Sequence, residues 1–298
     1  LDVGKQVLEK YPQMKVAASM ENHARHSGIH AAGILVTDEP VSKYCSVSDQ
    51  NGTAQIDKKD AEELNLLKID ALGLRTLSVL QDVLDQVGWD REQLVSHPLD
   101  DKAAFAVLNE ERYAGIFQFE GYALQSVTRQ MKVHEFEDVA AITALARPGP
   151  LNSGGTAEYI KRHTGAAPVE YLHPLTEAIT KVTNGVVVYQ EQVMMIGRDV
   201  GGLSWEDVSS LRKAMSRSLG TEFFDKYFEK FKAGAKKNGI DKDSARYIWD
   251  HINTMGSWAF NRSHAVAYGL VSYWCCVLKS RFPLEFAAAC LRNVKDDE

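Results

Sequence analysis

At 298 residues and a net charge of −6, with 45% hydrophobic and 25% charged residues, the chain has the make-up of an ordinary globular protein with a sizeable core. The acidic total argues weakly against a nucleic-acid binder, but net charge averages over faces and a local basic stripe still binds phosphates. The longest apolar run, Ala265 to Leu278, is shorter than the roughly 20 residues that cross a bilayer, so it reads as a core helix and no membrane partner is expected. Cys45, Cys275, Cys276 and Cys290 show no CxxC pair or zinc-ligand spacing, the pattern of reduced thiols in a cytoplasmic protein. The chain opens at Leu1 in mid-pattern, which reads as a piece of something longer.

In chain order, the first thirty residues read as helix, and AAGILVTDEP as a short strand ending in a turn at Asp38 to Pro40. An Asn-Gly turn follows, then NLLKIDALGL, a run that reads as a buried strand and turn. In a strand Lys68 and Asp70 share one face while Leu67, Ile69 and Ala71 share the other, so a charged face there requires a reason. Gly73 opens a helix with Leu74, Leu77, Val79, Leu80, Val83 and Leu84 at helical spacing. Beyond it helices dominate. DDKAAFAVLNEE starts on aspartates, FEDVAAITALARPGP stops at a Pro-Gly-Pro turn, and GVVVYQEQ is a brief buried strand turning into a helix. TEFFDKYFEKFKAGAKKNG and DSARYIWDHINTM read as two amphipathic helices.

Several clusters have a plain and a functional reading. His23, His26 and His30 have a spacing that would present three imidazoles to zinc from one helix face, but Gly28 breaks that helix, so they read as surface and turn histidines. Arg25 and His30, flanked by small residues, are candidates for touching a phosphate or sugar. From Ser209 to Ile240 eight basic residues face three acids, a solvated helix face in the plain reading. Within that stretch Arg212, Lys213 and Arg217 could also form a phosphate-facing ridge. Asn261 or Ser263 caps the apolar helix that follows. Its N-terminus, with Arg262 and His264 beside it, would receive a triphosphate. Arg147 precedes a rigid turn and a Gly-rich helix start.

The order of these runs is more informative than any one of them. RHSGIHAAG, KIDALGLRTL, GIFQFEG, ALARPGPLNSG, GVVVYQEQVM, LRKAM and FNRSHAVAYGLVSY occur in the sequence as they do in the bacterial replicative DNA polymerase III alpha subunits, the C-family DNA polymerases. The resemblance runs from about Arg25 almost to the C-terminus. It implies an α+β, mostly α fold: a helical lead-in over 1–29, the C-terminal part of a polymerase-beta-like palm over 30–75, and a large helical fingers domain over 76–298. It implies DNA-directed DNA synthesis, adding deoxynucleotides to a primer 3′ end by two-metal transfer with magnesium. Asp70 would be a palm carboxylate and metal ligand, with Lys68 beside the triphosphate. Arg147, Arg212, Lys213, Asn261, Arg262, Ser263 and His264 would face the nucleotide. Arg25, His30 and Arg217 remain phosphate or DNA candidates.

The departures from the family pattern shape the same expectation. The other two palm aspartates belong to an Asp-x-Asp motif, and nothing of that form precedes Asp70; Asp57 and Asp60 match a different family segment. The family's Phe-Asp-Phe is here Ile69-Asp70-Ala71, and its basic "LRRAMGKK" run is here Arg212-Lys213 followed by Ser216-Arg217-Ser218, as in a divergent, phage-type member. With one of three carboxylates the chain is expected not to polymerise alone. It needs an upstream polymerase segment besides primer–template DNA, dNTP and other replisome subunits, in a bacterial or phage-infected cytoplasm. The alternative is a noncatalytic nucleotide- or DNA-binding module derived from the family.

Overall fold

The computed structural model describes residues 5–20, 23, 28–217 and 221–294. The chain divides into two units, Leu1–Leu74 and Arg75–Glu298. Among the described residues the fold is mostly helical with one two-stranded sheet.

In the first unit the expected lead-in helix is two short ones, α1 (Lys5–Lys10) and α2 (Met14–Ser19), separated at Pro12, whose ring cannot continue a helix. The strands β1 (Gly33–Val36) and β2 (Leu67–Asp70) pair antiparallel, with Gly33 opposite Asp70, Ile34 opposite Ile69, Leu35 opposite Lys68 and Val36 opposite Leu67. Between them lies α3 (Lys58–Glu63), started by Asp57, whose carboxylate accepts from the backbone N–H groups of Lys59 and Asp60. The alternation read from the sequence is present, but its inside and outside are exchanged. Ile34, Val36, Leu67 and Ile69 form an exposed apolar face, while Lys68 is the less exposed residue of β2. The expectation of a buried strand is corrected accordingly.

The second unit holds two cores. Helices α4 (Arg75–Val87), α5 (Arg91–Val95), α6 (Lys102–Asn109), α7 (Tyr122–Met131) and α8 (Phe136–Leu145) open it. Val79, Leu80, Val83 and Leu84 of α4 are buried as their spacing predicts, whereas Leu77 is exposed. Pro148 does not end the helical path. It occupies the first position of α9 (Pro148–Ser153), where its missing N–H is harmless, and Gly154 at φ 83° turns the chain into α10 (Gly155–His163).

After α11 (Glu177–Thr180), residues Val186 to Tyr189 are extended and buried but form no strand. Their pairing is one parallel bridge, Tyr189 to Phe260. The segment is apolar on both sides because it runs between the cores: Val186, Val188 and Tyr189 join the first, Val187 the second. The second core is built on α12 (Gln190–Met195), α13 (Trp205–Arg217), α14 (Thr221–Asp225), α15 (Phe228–Lys237) and α16 (Lys242–Gly256). The single helix expected over TEFFDKYFEKF is therefore broken at Lys226 and Tyr227. The apolar run is α17 (Arg262–Arg281), a core helix that packs on α8 with Gly269 against the Ala140 backbone; α18 (Pro283–Arg292) follows. No helix of the described residues is long and apolar enough to cross a membrane. All four cysteines are free, and burial pushes the Cys275 thiol up to about 12.

Candidate functional site

In the first unit, the inward face of the β1–β2 sheet lines a cleft of about 660 Å³ bordered by His30, Thr53, Asp57, Lys58, Lys68 and Asp70. Strand alternation places Lys68 and Asp70 on this side, and the Lys68 ammonium donates to Asp70 Oδ1. Gly33 makes the arrangement possible: a Cβ there would sit 2.9 Å from both His30 Nδ1 and Lys68 Cε. The His30 Nδ1 is 3.8 Å from Asp70 Oδ1, yet it accepts the Ala32 N–H at 3.2 Å. A nitrogen that accepts carries no proton, so in this geometry His30 is neutral and not a partner in an ion pair.

Asp70 is open to solvent, its side chain 55% exposed against 20% for Lys68. The Lys68 hydrogen bond holds its carboxyl below the ordinary aspartate value. The sign follows: any stabilisation from this pair is present above the ordinary aspartate pKa and is lost as pH falls through the lowered one. Lys68→Met is expected to return the Asp70 titration, followed by carboxyl NMR, upward to the ordinary aspartate range. An unmoved titration would show that Lys68 does not hold the carboxylate.

A two-magnesium site needs several oxygen ligands around each ion. Asp70 is the one carboxylate on β2, the neighbouring Asp57 is engaged in capping α3, and no cluster of three or more His, Cys, Asp or Glu able to hold a metal occurs among the described residues. The residues described here therefore do not fit that site.

In the second unit the nucleotide-facing candidates fall into two groups. The first gathers around the start of α17. Arg147 is half-buried, its guanidinium stacked 4.2 Å from the centre of the Phe260 ring, with Nε donating to the Ala144 carbonyl at 2.9 Å and Nη2 to the Trp258 carbonyl at 2.8 Å. No carboxylate among the described residues pairs with it, and burial lowers its pKa from the ordinary arginine value. Trp258 is pressed onto the α9–α10 backbone, where a Cβ at Gly149 or Gly155 would meet its side chain at 2.9 and 2.6 Å. From Phe260 a row of rings continues along one side of α17: Phe260 to His264 at 5.4 Å, His264 to Tyr268 at 4.0 Å, and Tyr268 to Phe117 at 5.3 Å. The i, i+4 spacing of His264 and Tyr268 makes the row possible.

Asn261 is the N-cap of α17, accepting from the His264 N–H at 2.8 Å and the Ser263 hydroxyl at 2.6 Å. The N-terminus is not an open anion seat. The Glu191 carboxylate accepts from the Arg262 N–H at 2.9 Å and from Asn261 Nδ2 at 3.1 Å, while the Arg262 guanidinium pairs with Glu137 at 3.0 Å. These two glutamates escape a reading by motif because they lie 70 or more residues from their partners in sequence. Glu191 carried one signal, its place in YQEQ. In the same motif Gln192 accepts from the Val188 and Tyr189 N–H groups and donates to the Ile179 carbonyl and Thr183 hydroxyl, so its role is to hold the turn into α12.

The second group, Arg212 and Lys213, lies exposed on α13. Neither has a carboxylate partner among the described residues, unlike Lys230, which pairs with Asp207 at 2.8 Å. The buried side of α13 reaches the end of α16, where Met215 Sδ lies 3.4 Å from a Cβ built at Gly256. Arg25 and the side chain of Arg217 lie outside the described residues.

A family profile described as the bacterial DNA polymerase III alpha subunit finger domain matches residues 76–239, and one described as the bacterial DNA polymerase III alpha NTPase domain matches residues 4–73. Relatives named DNA polymerase III subunit alpha include that of Aquifex aeolicus, 36% identical over 98% of this chain and 26% of its own length. Those of Staphylococcus epidermidis and Mycobacterium tuberculosis are 37% and 35% identical, each over 95% of this chain and 27% and 25% of their own lengths. The chain thus spans about a quarter of the length of these curated relatives. A profile match over more than half of the chain, together with this identity along nearly all of it, shows that the chain belongs to the bacterial DNA polymerase III alpha subunit family.

Proposed function

We propose that this chain is the palm-end and fingers portion of a replicative DNA-directed DNA polymerase. Such an enzyme joins the primer 3′-hydroxyl to the α-phosphorus of a dNTP and releases pyrophosphate. The observation that carries the reading is the Lys68–Asp70 pair on the cleft side of β2. An exposed carboxylate and an adjacent ammonium in a concave site suit a divalent cation and a polyphosphate respectively. Asp70 contributes one carboxylate to a magnesium site that other acids complete, and Lys68 offsets phosphate charge. In the helical unit, Arg147, Arg212 and Lys213 supply cations without carboxylate partners. The row from Phe260 to Tyr268 offers ring faces to a base, and the Asn261–Glu191 network keeps it in place. Partners in this reading are primer–template DNA, dNTP, the polypeptide that completes the palm, and further replisome subunits.

The test has two parts. The chain is expected to bind a deoxynucleoside triphosphate and a primer–template in equilibrium titrations, and binding of neither sinks the polymerase reading. In a magnesium-dependent primer-extension assay the chain alone is expected to extend nothing above background. Extension that disappears in Asp70→Asn would show instead that the acids of this chain are sufficient. Binding without extension, even with a palm segment bearing the missing acids supplied, would favour the noncatalytic module.

A further inference from the structure

We propose that the outer face of α13, together with Arg198 before it, is a stacking site for single-stranded DNA, placing a nucleobase on Trp205. The inference rests on the polymerase reading for its ligand, but on different residues. Trp205 begins α13 and is 62% exposed, belonging to neither core. A tryptophan left in water forgoes the large burial energy that normally places it inside, so its position calls for a ligand more than that of a smaller residue would. The Arg198 guanidinium lies 4.6 Å from the Trp205 ring centre and is itself held in place by a two-pronged pairing with Asp199. Indole and guanidinium together form a flat, cationic surface of the kind on which bases stack.

The rest of the helix supplies the backbone contacts. Val208, Leu211, Ala214 and Met215 form the buried side of α13. Seven residues on from Trp205, and so on nearly the same stripe of the helix, Arg212 projects from the exposed side with Lys213 beside it. Seven residues rise about 10 Å along the axis, close to the length of three stacked nucleotides at about 3.4 Å each. Of the acids nearby, Asp199 is paired with Arg198 and Asp207 with Lys230, which leaves Glu206 against Arg212 and Lys213. That modest positive excess suits one strand offering its bases better than a duplex, which offers phosphates alone.

The test is titration of the 298-residue chain with a short oligothymidylate, followed by tryptophan fluorescence and by anisotropy of a labelled strand. Of the five tryptophans Trp249 and Trp258 are buried, so quenching on binding is expected to come from Trp205 and to vanish in Trp205→Ala. That variant is expected to lose about tenfold in affinity while Trp205→Phe keeps most of it, since any aromatic face stacks. Arg212→Ala with Lys213→Ala is expected to flatten the salt dependence by about 0.7 per charge removed. Unchanged affinity in Trp205→Ala overturns the proposal, as does absence of oligothymidylate binding or equal preference for a duplex of the same length. Oligothymidylate binding through Trp205 with no triphosphate binding would overturn the nucleotide site and leave this one standing. Triphosphate binding without the strand would do the reverse.

Discussion

Gly234→Ala is expected to destabilise the helical unit by about 3 kcal/mol or more, the largest loss from adding one methyl group to this chain. On an exposed helix the same change would stabilise by about 1 kcal/mol, because glycine is a poor helix former. Here α15 crosses the turn after α12 backbone to backbone. A Cβ at Gly234 would lie 2.0 Å from the Gly201 carbonyl oxygen and 3.0 Å from Gly202 Cα. Neither is a side chain that can rotate away, so α15 would have to retreat. Retreat loosens Phe231, which is fully buried and packs at 4.9 Å on Trp249, the centre of the second core. Chemical denaturation compares this variant with Gly73→Ala, where a Cβ meets nothing within 4 Å and the change is expected to stay within about 0.5 kcal/mol. Equal effects at the two sites would mean that the crossing is not as close as the structure has it.

Arg147→Ala is expected to weaken triphosphate binding by about 10- to 100-fold, the range for a charge-assisted hydrogen bond to phosphate lost from a partly buried site. Arg147→Lys is expected to recover little of it. The site uses the planar fork: one nitrogen goes to the Ala144 carbonyl, another to the Trp258 carbonyl, and the flat face lies on Phe260. An ammonium reproduces neither the two directions nor the stacking. Both variants also lose contacts between the end of α8 and Trp258, so circular dichroism at the titration temperature must first show that the helical unit is intact. A folded Arg147→Ala that binds triphosphate as well as the parent chain would remove Arg147 from the proposed nucleotide site. Glu191→Gln separates the two roles of the region, because Glu191 touches Arg262 and Asn261 and not Arg147. It should weaken the α17 cap while leaving the Arg147 fork in place.

Local features of this fold were legible in the sequence. Asn261 reads as a cap and is one; Ala245, Ile248, Trp249 and Ile252 are spaced for one face of a helix and are all buried on α16. Each depends on residues within a few positions, where propensity and periodicity act directly. Four apolar residues in a row at Val186 to Tyr189 look like a strand, because a segment buried on both sides has the same composition whether it lies in a sheet or between two cores. The break at Lys226 and Tyr227 interrupts a pattern that was continuous in its aromatic spacing.

What the sequence by itself determined is the membership carried by seven motifs in order, the helix faces, the cap of α17 and the shared side of Lys68 and Asp70. Only the tertiary structure decided that this shared side faces a cleft with its apolar opposite in solvent, that Glu137 and Glu191 hold Arg262, and that Arg147 is left without a carboxylate. The physical reason is range. Alternation and capping are set by bond geometry over a few residues, whereas burial and ion pairing depend on which distant segments the summed packing of the chain brings together.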